Sequence, residues 1–83
     1  MSSRSQAHAA LGRAVRDLRG VRGISQEDLA HRSGMHRTYL GGIERGERNV
    51  SYTNLKRLAR ALDVPASHLL QRAEAHENSG SRG

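Results

Sequence analysis

Three stretches of this 83-residue chain open with the same local pattern, and the pattern commits the chain to short helices joined by tight turns. An apolar residue precedes a capping position and a second apolar residue follows four places after the cap: Ile24 and Leu29 around Ser25, Met35 and Leu40 around His36, Val50 and Leu55 around Ser51. Each pair is spaced to close a hydrophobic staple, which fixes the angle at which a chain enters a helix. Ser25 and Ser51 can accept a hydrogen bond from the backbone N–H three residues on, where Asp28 and Asn54 stand. Gly34 and Gly46 follow the second and third segments, where a left-handed residue closes a helix.

The rest of the pattern completes a helical domain. Ahead of the three starts, Ala7, Leu11, Ala14, Val15 and Leu18 fall at helical spacing, with Arg13, Arg16 and Arg19 on the other face and a stop in the stretch from Gly20 to Gly23. The fourth helix runs through Leu55, Leu58, Ala59 and Leu62 to Asp63 and Val64, and Pro65 opens a short fifth containing Leu69 and Leu70. The expectation is an all-α, five-helix domain over residues 7–73. The tails at 1–6 and 74–83 offer too little apolar surface to bury and are expected to be disordered.

Charge and composition then narrow the function. Lys and Arg total 14 against 8 acidic residues, for a formal net charge of +6, and Lys56 is the only lysine. The planar fork of arginine suits phosphate oxygens and guanine edges better than the point charge of lysine, which favours a nucleic-acid partner. Two aromatic residues, Tyr39 and Tyr52, are too few for a base-stacking platform, so double-stranded DNA is the expected form. The cations lie on several short segments rather than one amphipathic helix, and the first nine residues are polar, which argues against a membrane role and for a cytoplasmic, nucleoid-associated protein.

Catalytic and metal chemistry find no support. The five histidines are scattered without a pair at the four-residue spacing of a helical zinc site, there is no cysteine, and no strand precedes a glycine-rich phosphate loop. We expect no enzyme activity, cofactor, metal or small-molecule substrate. A domain this small buries only roughly 60% of its unfolded surface, so self-association would add needed stability. Val64, Leu69 and Leu70 follow a helix whose inner face is already supplied and are the candidate homodimer interface.

The connection Ser33-Gly34-Met35-His36 between the second and third helices has the length and glycine of a helix-turn-helix, whose second helix presents its first turn to the major groove. With Leu40 and Ile43 turned inward, Arg37, Thr38, Gly41, Gly42 and Arg45 are expected to face out. Arg37 can reach guanine O6 and N7 with two donors, and Thr38 can add a hydroxyl or methyl contact. Gly41 and Gly42 each cost a helix about 0.8 to 1.0 kcal/mol relative to alanine, which suggests close approach to DNA. The candidate base-reading set is Arg37, Thr38, Gly41 and Gly42.

From Leu11 to Leu70 the chain resembles the Cro/repressor-like (Xre) helix-turn-helix family. The segments that carry the resemblance are Leu11-Gly12 with Leu18-Arg19, the run Ile24 to Ala30, Ser33-Gly34-Met35, Ile43-Glu44-Arg45-Gly46 and the run Leu58 to Val64. The stretch Arg37 to Ser51 is most similar to controller proteins of restriction-modification systems. The resemblance implies a homodimeric transcriptional regulator on a pseudo-palindromic operator, with Gln26, Tyr39, Arg45, Arg48, Asn49 and Ser51 near the sugar-phosphate backbone. His36, grouped with them, stands where controllers often carry Asp. The resemblance also implies that Glu44 pairs with Arg19 to brace the recognition helix. Two alternatives stay open: an antitoxin, and a protein-interaction module of the same fold. The tail beyond Ala73 lacks an apolar stripe to hold a toxin, and Arg37, Arg45 and Arg48 give the third helix a face unlike that of a neutral interaction module.

Overall fold

The two serine caps behave as their chemistry demands. A computed structural model describes residues 3–80 and contains α1 (Ser3–Arg22), α2 (Gln26–Ser33), α3 (Arg37–Glu44), α4 (Tyr52–Ala61) and α5 (Ala66–Gly80), with no strand among the described residues. The Ser25 hydroxyl accepts from the Asp28 N–H at 3.0 Å, and the Ser51 hydroxyl from the Asn54 N–H at 3.1 Å. His36 holds the cap position of α3 in extended backbone without a side-chain bond. The helix ends are equally local. Gly34 is left-handed (φ 72°, ψ 28°), and the N–H of Met35 returns to the Ala30 carbonyl at 2.9 Å, a Schellman closure that turns the chain into α3 within three residues.

The fourth helix ends the same way with a residue that sequence reasoning passed over. Asp63 takes the left-handed conformation at φ 61°, and the N–H of Val64 bonds the Ala59 carbonyl at 3.0 Å. Aspartate tolerates this region better than most side chains. Arg22, at the end of α1, donates to the carbonyls of Leu62 and Asp63 at 2.9 Å each, satisfying acceptors that the helix end leaves open.

The five helices enclose one core, in which Val15, Leu29, Leu40, Ile43, Leu58, Leu62 and Leu69 are fully buried. Both ends differ from the expectation. Residues 3–6 belong to α1, and α5 is no short helix: it carries residues 74–80, expected to be disordered, while residues 1–2 and 81–83 lie outside the described residues. Pro65 sits one position before α5 rather than inside it. The reason for the longer α5 is tertiary. Leu69 and Ala73 pack into the core as α5 lies along α1, and beyond Ala73 the docking continues through polar groups: Asp17 of α1 accepts from Arg72 Nε at 3.2 Å and pairs with His76 Nε2 at 2.6 Å.

Candidate nucleic-acid interface

The first turn of α3 is held outward by what the rest of α3 buries. Leu40 and Ile43 fill the core, which leaves Arg37 and Thr38 exposed at the helix start. Beside them a slot of about 190 Å³ is lined by Gln26, Arg37, Thr38, Gly41 and Arg45, so the α2 start and α3 share one surface. His36, Arg45, Arg48, Asn49 and Ser51 are also exposed, whereas Gln26 and Tyr39 are half-buried.

An ion pair with a buried carboxylate fixes this surface. Glu44, at the end of α3, is buried and accepts from Arg19 Nε at 2.8 Å and Arg19 Nη2 at 3.0 Å, the two-pronged geometry that favours arginine. Gln26 Nε2 adds a third donor to Glu44 Oε1 at 3.1 Å, and Arg19 Nη1 donates to the Ile24 carbonyl at 3.2 Å. One side chain of α1 thus ties the α2 entrance to the end of α3. The hydrogen bonds from Arg19 to Glu44 hold the guanidinium pKa above its ordinary value against the opposing effect of burial. Close backbone crossing makes the pair possible: a Cβ at Gly12 of α1 would stand 2.5 Å from the Ile43 carbonyl oxygen and 2.6 Å from that of Glu44.

The flank beyond α3 is ordered by Tyr39. Its hydroxyl donates to the Asn49 carbonyl at 3.3 Å and accepts from Asn54 Nδ2 at the same distance, linking α3, the following turn and the start of α4. Arg45 Nε pairs with Glu47 Oε2 at 3.1 Å. Arg37 and Arg48 have no hydrogen-bonding or ionic partner among the described residues.

Three expected sites are corrected. Gly41 and Gly42 lie on the outward side of α3 but are not open to solvent; both are buried beneath arginine side chains. A Cβ on Gly41 would lie 3.1 Å from Arg45 Nη1, and one on Gly42 would lie 2.8 Å from Arg48 Cγ. The long side chains that follow α3 fold back over positions where the helix has none. Leu69 is not a surface residue: it is fully buried in the core because α5 docks its Leu69 and Ala73 side against α1. Leu70, 43% exposed, and half-buried Val64 are left as candidates for self-association.

Two features escaped the sequence reasoning. Glu47 is the partner of Arg45, a link between residues two apart that depends on the turn at Gly46. Lys56, Arg57 and Arg60 of α4 join Arg32 of α2 in a basic wall around shallow hollows, with the Lys56 ammonium 5.7 Å from the centre of the exposed Tyr52 ring. The three-residue and four-residue spacing of these α4 cations was the available signal. No helix among the described residues is long and apolar enough to cross a membrane.

A capped helix pair around a left-handed glycine, braced from behind and presenting an arginine at the start of its second helix, defines a helix-turn-helix protein. The chain belongs to the helix-turn-helix family, whose profile matches residues 15–69. It is 44% identical over 70 residues to control protein C.SmaI of Serratia marcescens, covering 84% of this chain and 83% of that one. Among solved structures it is similar to the restriction-modification controller protein C.AhdI of Aeromonas hydrophila, with 48% identity and a TM-score of 0.73 over 75% of this chain and 94% of that chain. It is also similar to the controller C.Esp1396I, solved as a tetramer in complex with its natural 35-base-pair operator, at 27% identity and a TM-score of 0.79 over 93% of this chain and 97% of that chain.

Proposed function

We propose that this chain is a cytoplasmic, sequence-specific regulator of transcription that binds double-stranded DNA as a homodimer and catalyses no reaction, in the manner of a restriction-modification controller. The observation that carries the reading is Arg37: exposed, without a protein partner among the described residues, at the first turn of a helix braced by Arg19 and Glu44. A cation there opposes the helix dipole, so a purely structural residue would more often be acidic, whereas guanine O6 and N7 reward an arginine. Thr38 reads beside it. Gln26, His36, Tyr39, Arg45, Asn49 and Ser51 hold the sugar-phosphate backbone. The Gln26 amide has two N–H donors, so its bond to Glu44 leaves one for a phosphate.

Self-association through Leu70 and Val64 would place two α3 helices about one DNA turn, roughly 34 Å, apart on a pseudo-palindrome. The test is a titration on a selected operator and on unrelated DNA across a salt series. If each protomer neutralises three or four phosphates, log affinity falls against log salt with a slope on the order of −5 to −7. Arg37→Ala should lower operator affinity by about 1 to 3 kcal/mol per half-site with a much smaller effect on unrelated DNA. A slope near zero, or no preference for any sequence, sinks the reading.

A further inference from the structure

Of the three exposed arginines on and just after α3, one carries a counter-ion. Arg37 and Arg48 have no hydrogen-bonding or ionic partner among the described residues, whereas Arg45 Nε donates to Glu47 Oε2 at 3.1 Å. Both side chains of the pair are more than half exposed, so it adds little to stability. Its electrostatic effect is larger, because a carboxylate here cancels a cation that would otherwise draw in a polyanion. The backbone places both partners. Glu47 follows left-handed Gly46 (φ 76°), and its N–H returns to the Gly42 carbonyl at 2.9 Å, so the acid starts from a turn closed onto α3. Arg45, the C-cap of α3, folds back over Gly41, where a Cβ would stand 3.1 Å from Nη1 and 3.9 Å from Cζ. The guanidinium is thereby divided. Its Nε edge is taken by Glu47, while its Nη1 end reaches the slot lined by Gln26, Arg37, Thr38 and Gly41, a slot with no carboxylate in its wall.

We propose that Glu47 is a specificity-determining residue of this protein: as the counter-ion of Arg45 it aims the free edge of the guanidinium into the slot and withholds that charge from DNA that does not seat there. The proposal rests on the DNA-binding reading above and on the backbone role of Arg45 within it. A guanidinium has five N–H donors in a fixed fork and can serve two anions through different edges. On a duplex seated against α3, a phosphate entering the slot meets Nη donors that are already oriented, so less side-chain freedom is lost on binding. On DNA held only by charge at the rim, no phosphate enters the slot. Arg45 is then half neutralised and releases fewer counter-ions from the duplex. The acid weakens both modes of binding, but it weakens the unseated one more. Discrimination is gained through a repulsive element rather than a new attractive one.

The experiment titrates the wild type, Glu47→Gln, Arg45→Ala and the double variant Arg45→Ala with Glu47→Gln on an operator selected from a random pool and on unrelated DNA, across a salt series, with folding checked by circular dichroism. Glutamine keeps the length of the side chain and removes its charge. Glu47→Gln should raise affinity for unrelated DNA several-fold and leave operator affinity unchanged or lower, so the ratio of the two falls several-fold. The log-log salt slope on unrelated DNA should steepen by about 1 for each protomer, as the freed Arg45 releases one more counter-ion. In the Arg45→Ala background the same substitution should leave the ratio where it was, because the acid then has nothing to aim or withhold. An equal change in the two affinities on Glu47→Gln, including no change, makes Glu47 an ordinary surface charge and overturns the proposal. A gain on unrelated DNA that persists undiminished without Arg45 also overturns it, since the acid would then act by plain repulsion. In either case the DNA-binding reading stands. If the wild type selects no sequence, both fall together.

Discussion

Two of the ionic attachments made by helix α1, at Arg19 and at Asp17, differ in nearly every physical respect. Toward α3, Arg19 meets a Glu44 side chain that is 3% exposed, with two guanidinium bonds and a third donor from Gln26. Toward α5, Asp17 is 31% exposed and is approached by Arg72 and His76 from a helix that solvent also reaches. Glu44 of the first pair has been taken out of water and must be satisfied in full, so the pair locks α3 to the scaffold. The second is bathed by solvent and only extends a docking that apolar packing has already set. Helix α3 is therefore held by geometry that tolerates no loose partner, while the end of α5 is held by contacts whose loss is expected to leave the fold intact.

The largest expected effect breaks the first attachment. Arg19→Ala leaves the Glu44 carboxylate buried with Gln26 alone, and loss of one partner of a buried pair costs about 3 to 5 kcal/mol. Urea titration should show this, together with reduced operator discrimination as α3 loses its brace. Replacing both partners with apolar residues, Arg19→Met with Glu44→Leu, should recover much of that stability without restoring discrimination. Recovery of both would mean that the pair stabilises the fold and does not orient α3.

Next in size is Leu69→Ala, expected to cost about 2 to 5 kcal/mol by leaving a cavity under α5. This variant sharpens the comparison, since it assigns the attachment of α5 to apolar burial. If Leu69→Ala is milder than Asp17→Asn, the polar clasp carries α5 after all.

Asp17→Asn is expected to cost at most about 1 kcal/mol, as befits a partly exposed ion pair. Burial pushes the Asp17 pKa up, but hydrogen bonds from His76 and Arg72, with their charges, outweigh it and hold the group below the ordinary 3.8. A depressed carboxylate pKa stabilises the fold above the unfolded value and ceases to do so as pH falls through the folded value. The stability gap between wild type and Asp17→Asn should therefore close as the solution is acidified below pH 3.8. Chemical denaturation at a series of pH values measures it, and a gap that persists in acid would show the asparagine to be harmful for another reason.

Leu70→Ser should change the stability of the monomer by less than about 0.5 kcal/mol, since the side chain is largely outside the core. Sedimentation should nevertheless show weaker self-association. Unchanged association would move the dimer contact to another face, such as the one carrying Val21 or Tyr52, both exposed.

The legible parts of the molecule are those whose causes lie within five residues. Ser25, Ser51, Gly34 and Gly46 announce caps and stops because cap bonds and left-handed turns join near neighbours, and Arg37 and Thr38 follow once Leu40 and Ile43 are assigned inward. The errors have the opposite origin. A helical wheel turns Gly41 and Gly42 outward, but it cannot show that Arg45 and Arg48 fold back to cover them. The same wheel cannot choose between Leu69 and Leu70 without α1 to say which side of α5 is against the core. The end of α5 looks like a polar tail because its anchor, Asp17, lies 59 residues from His76.

By itself, then, the order of residues determined five helices around an apolar core, the helix-turn-helix connection and the outward arginine at the start of α3, because local hydrogen bonding and side-chain periodicity act along the chain. Tertiary structure alone decided that Glu44 is buried beneath Arg19 and Gln26, that Leu69 is core, that α5 runs on to Gly80, and that Arg48 lies over Gly42. Those outcomes depend on the desolvation of groups brought together from distant segments. Sequence spacing carries no measure of which water-exposed face will be covered.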